Sequence, residues 1–430
     1  MSVLSDLKAA RRVVRNALQS RRTRRELARR LGPLPAPGSV EIAVYFADTK
    51  VNLYQIRQWY GPLAELAKTH PVVIVTRSPG ATLALLDESP VPVVYRRRVV
   101  DLEQFVAQQK LRVVLYVNQN QKNFQMFRYG RMWHVFINHG ESDKMYMTTN
   151  QFKAYDYALV AGQAAIDRLS RKLWAFDVAR RAVPIGRPQA DHFAGQLRYP
   201  ADDRTVVLYA PTWEGDRPAA AYGSIASHGV ALAGAVLASP RHRLIYRPHP
   251  RSGVISAEYR AANQAIIAAI AAANRADAGA HHVFDDGPDL GWQLAAADVA
   301  ITDVSAMIYD RLAVGKPILV ARPSSPDAEI DDEGFLSVVD WIDAAEAGAV
   351  VDLVDRALVD PDARAKLAHW STHYFGDTTP GAATRRFHEA IEGLIAEWDR
   401  HAVIHAGDKP SSESDPLDDD EDEEGLPTGE

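Results

Sequence analysis

Cysteine is absent from the 430 residues, so disulfides, thiolate zinc sites and thiol nucleophiles are excluded. That suits a reducing compartment. Long apolar runs are missing too: the longest unbroken stretches, such as 265–273, fall well short of the roughly 20 residues needed to cross a bilayer. The basic N-terminus leads into no apolar segment of the kind a signal peptide carries. No internal repeat of a solenoid period is present.

The net charge of −6 conceals an asymmetry. Residues 1–31 carry +8, ten Lys/Arg against Asp6 and Glu26, and residues 408–430 carry −10, eleven acidic residues against Lys409. The body between them is close to neutral. Val3, Leu7, Ala10, Val14, Ala17 and Leu18 recur at helical spacing among Lys8, Arg11, Arg12 and Arg15, which predicts a basic amphipathic helix over 1–31. Attachment to an anionic membrane surface is the expected role, with packing on the body or a partner as the alternative. No aromatic residue interleaves these arginines to stack on bases, so nucleic acid is not expected as a partner. The acidic end, 401–430, reads as a disordered solvating tail.

A Pro/Gly-rich linker, 32–40, precedes a strand–helix alternation. Strands are expected at 41–47, 72–76, 91–95, 113–118, 135–138 and 158–161, with helices such as 54–68 and 102–109 between them. A second series follows at 205–210, 243–246, 283–285, 299–302 and 318–320, separated by alanine-rich helices at 230–237 and 258–274. Helical pattern returns over 361–400, broken at 373–381. Alternation of this kind implies two doubly wound parallel-sheet domains, 41–198 and 199–400. Two such domains facing a cleft, with a C-terminal helical segment, suggest an α/β fold of the GT-B type. Ligands of open parallel sheets bind beyond the strand carboxyl ends, so the residues just after strands are the candidates.

The clearest such stretch is 298–320, DVAITDVSAMIYDRLAVGKPILV. Val299–Thr302 reads as a strand, Asp303 and Ser305 offer caps, Ile308 and Leu312 share a helix face, and Gly315 ends the helix. A helix starting directly after a strand directs unpaired N–H groups at the strand end and forms a natural diphosphate seat. His139 and Gly140 follow an expected strand in WHVFINHG, placing an imidazole either as a general base or as a strand cap. Arg247 and His249 lie between prolines in RPHP, which presents charge rigidly or simply makes a polar turn. YAPTWEG offers Thr212 and Trp213 on the same side. In HYFGDTTPGAATRRF, Thr379 and Arg385 belong to either a second anion site or an N-cap. Asp285 and Asp286 with His281 and His282 read as a polar loop, and no metal site or cofactor is expected.

The order of these motifs, histidine–glycine turn, YAPTW, RPHP, TDVSA with KPIL, then GAATRR, resembles the CDP-glycerol glycerophosphotransferase family of teichoic acid primases and polymerases across roughly residues 130 to 390. The resemblance implies transfer of an alditol phosphate from a CDP-alditol to a lipid-linked acceptor, by an enzyme attached peripherally to the cytoplasmic face of the membrane. It also implies that His139 is the base and that His249, beside Arg247, is the second functional histidine. Asp303 and Ser305 would form the phosphate turn, Thr379 and Arg385 the last motif, with Gly140, Lys144 and Thr212 among the substrate contacts. Self-association is compatible with it. Two departures stand out. Ala306 follows Ser305 where a second hydroxyl is common, and Glu141-Ser142-Asp143-Lys144 replaces a Thr-Pro-rich turn, which bears on acceptor choice. The rival readings are a nucleotide-sugar glycosyltransferase of the same fold and a catalytically silent membrane-surface binding protein.

Overall fold

The structure is a computed structural model that describes residues 18–141, 148–193, 197–287, 290–330 and 334–408. The first sheet contains β1 (Ile42–Phe46), β2 (Val72–Thr76), β3 (Val93–Tyr95), β4 (Val113–Tyr116), β5 (Trp133–Phe136), β6 (Tyr157–Val160) and β7 (Ala182–Pro184), in the order β3-β2-β1-β4-β5-β6-β7. The second contains β8 (Thr205–Ala210), β9 (His242–Tyr246), β10 (Val283–Phe284), β11 (Val299–Thr302), β12 (Ile318–Ala321) and β13 (Trp341–Ile342), in the order β10-β9-β8-β11-β12-β13. Every pairing is parallel. Strand order reverses beside β1 in one sheet and beside β8 in the other, which opens a ligand crevice at each place.

Central strands such as β1 and β4 are buried on both faces, so they read as continuous apolar runs, not as alternating ones. β7 and β13 were not anticipated. Both are short edge strands, and Pro184 in β7 cannot donate to a ladder. The single helix expected over 54–68 is two helices, Leu53–Arg57 and Tyr60–Leu66. Pro62 explains the break, because its ring clashes with the carbonyl one turn earlier.

Domain boundaries differ at both ends from those the pattern suggested. The helix Ala382–Ile404, expected to close the second domain, returns to the first sheet: Phe387, Ile391, Leu394 and Ile395 share one core with Ile42, Val44, Val113 and Val135. Trp133 Nε1 donates to Leu394 O at 2.9 Å and Tyr157 Oη to Glu397 Oε2 at 2.6 Å, which clips the helix along the sheet. The helix runs past 400, the expected start of the tail. At the other end, residues 18–30 are helical with Leu27 buried, and Arg30 Nη1 donates to Asp87 Oδ2 at 3.2 Å. This part of the basic helix therefore packs on the first domain. Residues 1–17 and 409–430 lie outside the described residues. Among the described residues no helix is long and apolar enough to cross a membrane.

His70 belongs to the same C-terminal clip. Its Nδ1 lies 2.7 Å from Glu41 Oε2 and its Nε2 2.8 Å from Glu392 Oε1. Burial works against protonation, but the two carboxylates prevail and raise the pKa. A raised histidine pKa stabilises fully below the unfolded value of about 6.5 and is lost as pH rises through the folded value. His70→Gln should therefore lower the thermal midpoint most near pH 6, with the gap to wild type closing toward pH 9. A gap independent of pH would contradict this role.

Candidate active site at the interdomain cleft

β5 ends at Phe136, earlier than the expected Asn138, because Asn138 takes a left-handed φ of 53° that no strand can continue. This turn redirects His139 across the sheet. Its Nδ1–H donates to Val117 O, just beyond β4, at 2.9 Å, which leaves the Nε2 lone pair available. The ring of Tyr54 meets the imidazole edge-on with centroids 5.8 Å apart. Burial lowers the His139 pKa, the bond to Val117 opposes this, and the nearby Arg187 lowers it further. The imidazole is therefore neutral at neutral pH, as a proton acceptor must be.

Arg187 was not singled out in the sequence. Its guanidinium is buried, pairs with Asp310 on the Ala306–Val314 helix of the second domain, and donates to Gln58 Oε1 at 3.1 Å. A Cβ on Gly140 would come within 3.4 Å of Arg187 Nη1. One cation thus joins the histidine turn of one domain to the helix after β11 of the other. A cavity of about 40 Å³ beside it, lined by Trp59, Asn138, Gly140, Glu141, Arg168 and Arg187, holds a water or two, not a substrate.

In the second domain Ser305 caps the Ala306–Val314 helix, its Oγ accepting from Met307 N at 3.3 Å. Gly315 ends the helix in the left-handed conformation, φ 69°. Asp303 does not act as expected. Its carboxylate is fully buried and accepts from Thr212 N at 2.7 Å and Ser224 N at 3.1 Å, and burial raises its pKa to about 7. A carboxylate turned inward in this way ties down the YAPTW loop instead of meeting a phosphate, and it fixes Thr212 through the backbone. Glu214, also overlooked, does the same for the RPHP loop by accepting from Gly253 N, Ile255 N and Ser256 N at 2.9, 2.9 and 3.0 Å.

The loop so held exposes His249, whose Nδ1 accepts from Arg251 N at 3.1 Å. Arg247 is less available than expected. It pairs with the buried Asp285, which also binds Arg198 at 2.9 Å, and it donates to Gly287 O at 3.1 Å. The same pairing commits Asp285 of the polar loop. Arg251, another residue the motif reading missed, lies over the Trp213 ring with Cζ 3.9 Å from its centre and is exposed. Its signal was present in the sequence as the next cation after RPHP.

Residues 105–333, just over half of the chain, match the family described as CDP-glycerol:poly(glycerophosphate) glycerophosphotransferase. The chain belongs to this family. No curated protein matches it in sequence. Among solved structures it is similar to the wall teichoic acid polymerase TagF, at 14% identity and a TM-score of 0.54, covering 93% of this chain and 100% of that one. It is also similar to a putative UDP-N-acetylglucosamine 2-epimerase from Listeria monocytogenes, at 15% identity and a TM-score of 0.55, covering 84% and 98%. At these identities the neighbours establish a shared GT-B-like architecture of two parallel-sheet α/β domains, and the family match establishes a glycerophosphotransferase-like enzyme.

The last motif of this glycerophosphotransferase is a turn ahead of the Ala382–Ile404 helix. Asp377 accepts from Thr379 N at 2.9 Å and from its hydroxyl at 2.7 Å. The N-terminus of the following helix is occupied by Asp191, which accepts from Thr384 N at 2.7 Å. The N-cap position itself is Gly381, with no side-chain cap, so Asp377 and Thr379 bond each other and do not cap the helix. Arg385 is exposed, with only Glu389 at 3.8 Å, while Arg386 holds Phe375 O and Asp377 O at 2.9 Å each. Glu141 is buried against Arg168. Lys144 lies outside the described residues.

Removing one partner of a buried ion pair destabilises by about 3–5 kcal/mol. Arg187→Met should therefore lower the urea midpoint sharply, and Arg187→Met with Asp310→Leu should recover most of the loss. A double variant as unstable as the single one would show that the pair does not join the domains.

Proposed function

We propose that the enzyme transfers glycerol phosphate, or a related alditol phosphate, from a CDP-alditol to a hydroxyl of a lipid-linked acceptor and releases CMP, with no cofactor beyond the donor. The observation that carries this reading is the neutral His139, its tautomer set by Val117, linked through Arg187 and Asp310 to the helix that Ser305 caps. His139 Nε2 takes the proton of the acceptor hydroxyl as its oxygen attacks the β-phosphorus. The bond to the bridging oxygen breaks and CMP leaves with that oxygen. In-line displacement at phosphorus depends mainly on positioning and charge neutralisation. The N–H groups after Ser305 supply partial positive charge, and His249 Nε2 and Arg251 supply donors across the crevice, with Arg247 contributing through the Asp285 network and Gly140 leaving room at the base.

Work at an anionic membrane surface through residues 1–31 belongs to the same proposal. The +8 charge of that segment supports it, and although Leu27 packs on the first domain, Arg21, Arg22, Arg25 and Arg29 stay exposed.

Wild type should release CMP from CDP-glycerol with a suitable acceptor, and His139→Ala should lower the rate at least about a hundredfold. The acid limb of kcat/KM should fall below pH 6.5, because the free enzyme's base has a lowered pKa. Consumption of a UDP- or GDP-sugar in place of CDP-alditols would replace this reading with a glycosyltransferase. Deleting residues 1–31 should abolish sedimentation with anionic liposomes, and undiminished sedimentation would remove the membrane role from that segment.

A further inference from the structure

The two charged ends of the chain emerge from one domain. Residues 18–30 pack on the first domain, and the helix Ala382–Ile404, having crossed back from the second, carries the chain to Asp408 there, where Arg131 Nη2 donates to Asp408 O at 3.0 Å. Arg112 shows how near the ends run. Its Nη1 lies 2.8 Å from Glu41 Oε1, just past the linker that follows the basic helix, and its Nη2 lies 3.1 Å from Asp399 Oδ1 on the C-terminal helix. His70 bridges Glu41 and Glu392 in the same way.

The basic helix does not lie flush on its domain. A groove of about 290 Å³ separates them, lined by Arg24, Leu27 and Leu31 on the helix side and by Tyr95, Arg97 and Arg98 on the other. The one acid lining it is already committed: Arg98 Nη2 donates to Asp101 Oδ1 at 2.7 Å and Arg98 Nε to Asp101 Oδ2 at 3.1 Å. Arg97 has no carboxylate partner among the described residues. Arg21, Arg22, Arg25 and Arg29 stand exposed on the same helix. Like charges gathered around an apolar groove favour an occupant that is acidic and carries apolar side chains of its own.

The chain contains such a segment. Residues 413–424 hold nine acids and no Lys or Arg, and the seven consecutive acids from Asp418 to Glu424 are flanked by Leu417 and Leu426. The 22 residues after Asp408 can span at most about 75 Å, against about 20 Å for the four strand spacings between β5 and β3. Tethering raises the local concentration of this segment to the millimolar range, which favours it over a free anion.

We infer that residues 413–424 dock in this groove and along the exposed arginines of the basic helix, and that they mask these cations from anionic membrane surfaces. The docking rests on the groove, the charges and the connectivity; the masking rests also on the membrane reading of residues 1–31.

Because cysteine is absent, two spin labels can be placed without background, at Gln19→Cys on the helix and Thr428→Cys beyond the acidic run. Double electron–electron resonance on the full chain should show a narrow short-distance component at low salt that gives way to a broad, longer distribution at high salt, where ion pairs are screened. Arg24→Gln with Arg97→Gln, and separately the acids 418–424 changed to their amides, should each remove that component with the thermal midpoint unchanged. The amide variant should bind phosphatidylglycerol vesicles at least about tenfold more tightly than wild type, the effect of one or two released cations. That gain should vanish in the Arg24→Gln, Arg97→Gln background, whereas mere repulsion between tail and lipid would leave it intact. A persistent gain would overturn the inference, as would a short component unmoved by salt and by both sets of changes. Arginine variants that lose vesicle binding with the label distance unchanged would make the groove a lipid-headgroup site and also overturn it. If the short component behaves as expected but no form of the chain binds vesicles, the docking stands and the membrane reading falls. If wild type binds vesicles and shows no short component, the docking falls and the membrane reading stands.

Discussion

The buried pair of Arg187 and Asp310 is the contact on which the rest of the site depends. Each domain is built separately, on its own parallel sheet and core, and strand order alone places a crevice in each. Nothing in either sheet makes the two crevices face one another. Arg187 does so, because it is held against Gly140 and Gln58 in one domain and meets a carboxylate on the Ala306–Val314 helix of the other. Burying two charges is costly unless their geometry is well kept, which makes this relative position far less tolerant of change than an apolar contact would. The helix Ala382–Ile404 reinforces it by running back from the second domain onto the first sheet.

A second theme is that carboxylates inside the protein shape the loops while the surfaces they present carry donors. Asp303 and Glu214 both occur in motifs that look made for a ligand, yet Asp303 gives its Oδ2, and Glu214 both its oxygens, to backbone N–H groups. Asp191 does the same at a helix N-terminus. What these acids leave exposed is an imidazole, an arginine on a tryptophan and one capped helix end, an arrangement that suits an anionic donor.

The fold was largely legible in the sequence, since strands buried on both faces must be short apolar β-branched runs and the breaks between them carry helix periodicity. Edge strands such as β13 escaped because two residues make no pattern. At the candidate site, His139, Ser305 and His249 were singled out from their places after strands, where a side chain of any type would be near the cleft. Asp303 was misassigned for the same reason: position after a strand does not reveal whether a side chain turns outward or in. Arg187 sits in no motif, and only its partner 123 residues later explains it. Arg385 and Arg386 are adjacent and chemically identical, and helix rotation alone decides which one is used.

The central claim is that His139 directs a phosphoryl group to an alcohol and not to water. Phosphorus NMR of the full chain with CDP-glycerol and a soluble glycerol-ended acceptor reads this directly. The account predicts a new phosphodiester resonance growing in equal amount with CMP, and neither signal with His139→Ala. CMP accompanied by free glycerol phosphate in place of the diester, or diester formation undiminished in the variant, would contradict it.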